Sequence, residues 1–506
     1  MLNIQLSHSY FLQYDRKQWE RGKPYPPLAT IQIAAFLRQR GHRVALFDAM
    51  LADGVEAYGS ALSEAAPALV VLYEDNFNFL TKMCLSRMRE AACQMIGEAH
   101  AAGARVIVAG SDASDQPDAF LAAGADVVLL GEGVAALAAL VERLDRDGAI
   151  DNHAWTVGIA GLAVHLDGQT QVQRIGIQSP DARLVGHPAW DLVDIERYRA
   201  FWQARHGYFS LNMAASRGCP FRCNWCAKPI WGNHYRQRDA IDVANEMIHL
   251  KQAFAPDHIW MADDIFGFYV DWVDAFAGQL QGAGGPIPFT IQARADLCSE
   301  AMAAALAQAG CVEVWIGAES GSQRVLDSMN KGTHVANLID ARERLGRHGI
   351  RVGYFIQLGY LGEQLVDLLA TRELITQAVP DDIGVSVSYP LPGTKFYEKV
   401  KAQLGAKTHW RDSGDLAMMF QGAYDSEFYR QVRDLLHEQV ALQQARPAEP
   451  AERYSQARAA LDRRWEALIA NEHAHRSEDA SASSHVTISG TNQASHAEPI
   501  PHVAAT

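Results

Sequence analysis

Cys219-Pro220-Phe221-Arg222-Cys223-Asn224-Trp225-Cys226 places three thiols within eight residues, at the spacing C-x3-C-x2-C. The apolar run from Phe209 to Ala215 precedes it and reads as a strand, and Gly218 lets the backbone turn between the two. A loop of this kind wraps three sulfurs around one inorganic cluster, and no fourth cysteine is near. Three ligands on a four-iron cluster leave one iron open to a substrate or cofactor. Zinc is the alternative for these thiols, with His234 eight residues beyond Cys226 as its fourth ligand.

Outward from the loop, strand-like and helix-like stretches alternate. Phe209–Ala214, His258–Met261, Pro288–Gln292, Glu313–Ile316, Gly353–Leu358 and Ile383–Ser388 read as strands. Ala240–Phe254, Val270–Gln281, Ser299–Ala309, Val335–His348 and Leu365–Gln377 carry helical periodicity. The alternation predicts an open, partial (β/α)6 barrel over 206–400, whose site lies at the strand C-termini. The cysteine loop follows the first strand, on that rim. The other rim segments are Met261-Ala262-Asp263-Asp264, Gly317-Ala318-Glu319-Ser320-Gly321-Ser322, Tyr354 to Tyr360 with Gln357, and Ser388 to Thr394. Read singly, paired acids at 263 and 264 are helix caps and a Glu-Ser is a turn.

Residues 1–150 show a second alternation. Asn3–Leu6, Arg43–Phe47, Ala68–Leu72, Arg105–Ala109 and Asp126–Leu130 are the candidate strands, with helical stretches between them. Five such strands predict a doubly wound, Rossmann-like parallel sheet covered on both faces. Ligands of such sheets sit at the strand C-termini, here Tyr73-Glu74-Asp75-Asn76, Gly110-Ser111-Asp112 and Gly131-Glu132-Gly133. The first strand–helix turn has no G-x-G-x-x-G, which disfavours a dinucleotide.

Residues 151–205 read as a linker, with a hairpin about Asp167-Gly168 and then Pro180, Pro188 and Trp190. Over 401–472 the chain has two amphipathic helices, Ser426–Gln444 and Ala451–Ala470, broken at Pro447 and Pro450. From 473 to 506 its Ser, Ala, His and Thr content predicts disorder.

A net charge of −14 argues against a protein that coats nucleic acid, and no apolar run approaches a membrane span. No secretory signal is evident, and seven cysteines, three of them clustered, suit a reducing cytoplasm. Cys84, Cys93, Cys298 and Cys311 fall in apolar stretches as core residues.

Taken together, the motifs resemble the cobalamin-dependent radical S-adenosylmethionine (SAM) enzymes, in particular the group of the anaerobic magnesium-protoporphyrin IX monomethyl ester cyclase and its methylase relatives. In the barrel the resemblance rests on the cysteine loop with Arg222 and Trp225 inside it, on the strand ends above, and on Leu326-Asp327 and Asn330-Lys331-Gly332. In the first domain it rests on Pro26-Pro27-Leu28, Arg40-Gly41-His42-Arg43-Val44, Phe47-Asp48-Ala49, Ala109-Gly110-Ser111 and Leu130-Gly131-Glu132-Gly133. The D-x-H-x-x-G motif that supplies a cobalt-ligating histidine in many cobalamin domains is missing. The nearest match, Asp151 to Thr156, ends in threonine.

The resemblance implies a 4Fe-4S cluster on Cys219, Cys223 and Cys226. It implies SAM contacts from Trp225, Asp263, Asp264, Glu319, Ser320 and Gln357, and cobalamin contacts from Tyr73, Glu74, Asn76, Gly110, Ser111, Gly131 and Glu132. It further implies reductive SAM cleavage to a 5′-deoxyadenosyl radical, with an electron from a low-potential donor such as a flavodoxin or ferredoxin. The expected outcome is methylation of an unactivated carbon of a small molecule. The alternatives are a radical cyclase or oxidoreductase without net methyl transfer, and a non-catalytic iron–sulfur electron-transfer protein.

Overall fold

Two parallel sheets, each flanked by helices, organise the computed structural model. It describes residues 1–477 apart from 79, 82–85, 149–151, 174–185, 227–229, 406–415, 447 and 449. Cys84, Pro180, Pro447 and the tail histidines His485, His496 and His502 lie outside the described residues.

The first sheet contains β1 (Asn3–Ser7), β2 (Arg43–Phe47), β3 (Leu69–Tyr73), β4 (Arg105–Ala109), β5 (Val127–Leu129), β6 (Leu162–Leu166) and β7 (Gln169–Gln173), in the order β2-β1-β3-β4-β5-β6-β7. Strands β1 to β5 are parallel, and their 2-1-3-4-5 order is that of a flavodoxin-like doubly wound sheet. Leu69, Val70, Val71, Leu72 and Tyr73 of the central strand are all buried, as a strand covered on both faces requires. The hairpin β6–β7, read from sequence as part of a linker, instead pairs antiparallel with β5 and extends this sheet. Its apolar Leu162, Ala163 and Val164 are buried, so burial rather than turn chemistry decides where it docks.

The second sheet contains β8 (Ser210–Met213), β11 (His258–Met261), β12 (Phe289–Ala293), β13 (Cys311–Glu319), β14 (Arg351–Leu358) and β15 (Asp382–Val387), between which the short β9 (Ser216–Arg217) and β10 (Arg236–Gln237) form a separate antiparallel ribbon. All five pairings of the large sheet are parallel and follow chain order, the topology expected of a partial barrel. The helices begin on side-chain caps where the sequence offers them: Asp239, Ser299, Thr394 and Asp425 each accept from a backbone N–H of the first turn.

The helix Ser426–Ala445 packs on the edge strand β15 and the helix Leu365–Ala378, and Ala451–Ala470 packs on Ser426–Ala445. Gln439 Nε2 donates to Arg372 O (3.2 Å), and Arg372 pairs with Asp462 over the buried ring of Trp465. Composition placed residues from 473 onward in a disordered tail, but 473–477 are ordered. Asp425 N donates to His475 O (3.0 Å), Ser477 N to Ala423 O (3.1 Å), and Arg476 pairs with Glu472 (2.9 Å). Backbone pairing that composition does not encode holds this stretch. The helix Lys395–Leu404, with Phe396, Val400 and Leu404 inward, is a further element that sequence periodicity missed.

Candidate active site

The cysteine loop leaves the second sheet at the β9–β10 ribbon. Gly218 has φ +76°, and a Cβ there would lie 2.2 Å from His234 O, so only glycine lets the two arms of the loop pass this closely. Cys219, Cys223 and Cys226 follow as half-buried thiols. Asn224, midway between two of them, is tied down at every polar group. Its N–H donates to Met329 O (3.0 Å), its Nδ2 to Ser328 O (2.7 Å), and it accepts at O from Phe396 N (3.0 Å) and at Oδ1 from Tyr360 OH (2.6 Å). Asn330 Nδ2 adds a bond to Arg222 O (2.9 Å). Sequence reading gave Asn224 no role, because its partners are more than 100 residues away.

Three thiols on one tethered loop suit a cluster with an open iron. Among the described residues, no three His, Cys, Asp or Glu side chains converge as ligands of a single metal ion, and His234 is exposed. The donor set, three thiols on one loop, fits the cluster.

The strand ends expected to meet SAM divide into two groups. Asp263, Glu319 and Ser320 already have protein partners. Asp263 accepts from Ala215 N (3.1 Å) and Ser216 Oγ (2.5 Å), and burial pushes its carboxyl up to about 7. It thus anchors the entry to the cysteine loop. Glu319 Oε1 accepts from Lys331 Nζ (2.7 Å) in a buried pair. Burial works against the Lys331 charge, but Glu319 and Cys223 beside it hold its pKa above the ordinary lysine value. Glu319 has φ +62°, at the irregularity where β13 leaves its register with β14. Ser320 Oγ accepts from Ser322 N (3.1 Å) and contacts Thr371 Oγ1 (3.2 Å).

The second group has polar atoms to offer. Trp225 Nε1 and Gln357 Oε1 are buried and find no partner among the described residues. Ser388 Oγ, at the end of β15, is likewise buried with no partner among them. Asp264 belongs to neither group and is exposed on the rim.

At the C-terminal edge of the first sheet the same division holds. Glu74 accepts from Ser9 Oγ (2.6 Å) and Ser9 N (3.1 Å), while Asp75 accepts from Ala29 N (3.0 Å); burial raises the pKa of both carboxyls. Gly110 packs against the Glu74 side chain, Gly131 N donates to Ser114 Oγ (3.0 Å), and Tyr73 OH donates to Glu132 O (2.7 Å). Both amide atoms of Asn76, and Ser111 Oγ, are buried with no partner among the described residues. Orphaned polar groups at the ends of β3 and β4 fit a large polar ligand lying across this edge. Glu132, expected from the sequence to face cobalamin, pairs through Oε1 with Arg217 (Nε–Oε1 3.0 Å), with both side chains more than 90% buried, and its Oε2 finds no hydrogen-bond partner among the described residues.

That pair joins the two sheets. Arg217 sits two residues before Cys219, donates through Nη2 to Gln32 Oε1 (2.6 Å), and lies over the Phe77 ring (5.5 Å). Phe77 also meets Trp231 (5.2 Å between ring centroids), and Asn212 Nδ2 donates to Pro26 O (3.0 Å). The C-terminal edges of both sheets therefore face one another, with the two flanks of the cysteine loop, at Arg217 and Trp231, in the junction.

A family model described as the radical SAM superfamily matches residues 213–375. These residues form a radical SAM domain. An uncharacterized methyltransferase of Pyrococcus horikoshii is 27% identical over 291 residues, covering 56% of this chain and 60% of that protein. The anaerobic magnesium-protoporphyrin IX monomethyl ester cyclase of Cereibacter sphaeroides is 25% identical over 286 residues, 55% of this chain and 45% of the cyclase. The matched stretch thus spans about half of each curated relative. The solved structure of the radical SAM methyltransferase TsrM from Kitasatospora setae, with cobalamin and a 4Fe-4S cluster bound, aligns with a TM-score of 0.64 at 17% identity. It covers 82% of this chain and 77% of TsrM, so the fold is shared through both sheets. Among the described residues, no helix is long and apolar enough to cross a membrane.

Proposed function

We propose that this chain is a cobalamin-dependent radical SAM enzyme that methylates an unactivated carbon of a small-molecule substrate. The observation that carries the reading is the facing of the two edges: a three-thiol loop on a radical SAM domain opposes the ligand-binding edge of a flavodoxin-like sheet. The relatives named as methyltransferases, and the fold shared with a cobalamin-bound methyltransferase, support it.

On this reading residues 1–150, with the hairpin that follows, hold cobalamin, and 206–400 hold the cluster and SAM. Together the bound cofactors supply a 5′-deoxyadenosyl radical and a transferable methyl group. The chain's share is ligation, orientation and exclusion of water. Cys219, Cys223 and Cys226 would hold the cluster, and Asn224 fixes the loop that carries them. Trp225 Nε1, Gln357 Oε1 and Asp264 face SAM, whereas Asp263 and the Glu319–Lys331 pair set the backbone around it. Asn76 and Ser111 would offer their buried polar atoms to the corrinoid. An external low-potential protein delivers the electron. The similarity to the cyclase favours one second reading, a radical cyclisation with the same cofactors.

The test is purification under anaerobic conditions from cells supplied with cobalamin. We expect about four irons per chain and a visible corrinoid spectrum. Deuterated methyl groups from SAM should then appear in the corrinoid and in product. A protein that binds no corrinoid at saturating cobalamin contradicts the methyl-transfer reading. One that binds it and forms product without label supports the cyclase reading.

A further inference from the structure

Arg294, the residue after β12, is more than 90% buried and held by three residues through four hydrogen bonds. Its Nε and Nη2 bond Asp296 Oδ1 and Oδ2 (3.0 Å each), and Nη2 also reaches Lys331 O (3.0 Å) and Thr333 Oγ1 (2.8 Å). Its guanidinium stacks on Phe221, inside the cysteine loop, with the Cζ 3.7 Å from the ring centroid. This arrangement leaves Nη1, which lies 4.0 Å from Cys223 Sγ. A planar donor fixed on one edge and one face cannot swing to follow a ligand, so the Nη1–H direction is set by the fold.

We propose that Arg294 is a positioning residue that donates an N–H···S bond to the Cys223 thiolate and so raises the reduction potential of the cluster. The proposal rests on the reading of the three thiols as cluster ligands. Reduction adds one electron to the cluster, and part of that charge resides on the thiolate sulfurs. A fixed cationic donor stabilises the reduced form more than the oxidised form. The neighbouring charges leave this donor's effect local. Asp296 is doubly bonded at the far edge of the guanidinium, and Lys331 is already matched by Glu319 at 2.7 Å. The stack on Phe221 serves the same end, because it fixes the loop that carries Cys223 against the donor.

The experiment is an EPR-monitored redox titration of the anaerobically reconstituted full-length protein without SAM, alongside Arg294→Gln and Arg294→Lys. Iron content and SAM affinity are measured on the same samples. We expect Arg294→Gln to keep its irons but favour the oxidised cluster at least tenfold at fixed potential, a fall of about 59 mV for one electron. Arg294→Lys, which keeps charge but loses the fixed fork, should fall between the two. If Arg294→Gln does not load iron, the Lys variant carries the test, and an unchanged potential there overturns the proposal. An unchanged potential with weakened SAM affinity also overturns it, because Arg294 would then act on SAM. A wild-type protein that takes up no cluster overturns the underlying reading of the thiols, and this proposal with it.

Discussion

Arg217 and Glu132 form a buried ion pair, 3.0 Å from Nε to Oε1, that links the residue two before Cys219 to the end of β5 in the other sheet. Burial raises the Glu132 pKa and the Arg217 charge opposes that rise, so the carboxylate depends on its partner to stay ionised. The pair fixes the spacing of the two edges at the point where the account needs both cofactors to meet.

Removing one partner strands a buried charge. Arg217→Met should destabilise the protein by about 3–5 kcal/mol. Arg217→Met combined with Glu132→Leu should recover most of that loss. Urea denaturation checks both. The double variant should still bind cluster and corrinoid but transfer methyl groups slowly, because the apolar replacement no longer fixes the spacing.

Gly218→Ala introduces a Cβ 2.2 Å from a backbone carbonyl at a positive φ. Strain of this kind costs on the order of 1–3 kcal/mol, and here it parts the β9–β10 ribbon at the base of the loop. Iron bound per chain after reconstitution should fall severalfold, while the far-ultraviolet circular dichroism stays that of wild type.

Asn76→Leu keeps the side-chain shape and removes two buried polar atoms that have no partner among the described residues. The ligand-free protein should be as stable as wild type or more so, by about 1 kcal/mol or more. Corrinoid affinity should fall roughly tenfold, as the loss of about 1.4 kcal/mol implies. Thermal melts and corrinoid titration give opposite signs if Asn76 serves the ligand. Equal losses in both would assign it to the fold.

His258 bridges β8 and β12 through Ser210 Oγ and Thr290 Oγ1, each at 2.9 Å, and burial lowers its pKa from 6.5 to about 4. The folded state therefore stays neutral where the unfolded chain takes up a proton. Its contribution is complete above pH 6.5 and is lost as pH falls toward 4, by up to about 3 kcal/mol. His258→Gln should flatten the urea midpoint of cluster-free protein over that range.

Both parallel sheets were legible in the sequence because their strands are short apolar runs separated by amphipathic helices, as at Leu69–Tyr73. The cysteines and strand ends were legible because they are local. Long-range pairing was not. Nothing near Glu132 announces Arg217, nothing near Asn224 announces Tyr360, and the hairpin's attachment to β5 appears only in backbone hydrogen bonds. Residues chosen by motif, such as Asp263 and Ser320, proved to be held by protein neighbours. That the Asn76, Ser111 and Gln357 atoms lack partners among the described residues is visible only in three dimensions.

The most direct test of the account is the fate of SAM. Anaerobically reconstituted protein, given a low-potential reductant and SAM, should release 5′-deoxyadenosine, and Cys223→Ala should abolish it. Protein shown to hold four irons that yields no 5′-deoxyadenosine, with candidate substrates present, would contradict the central claim.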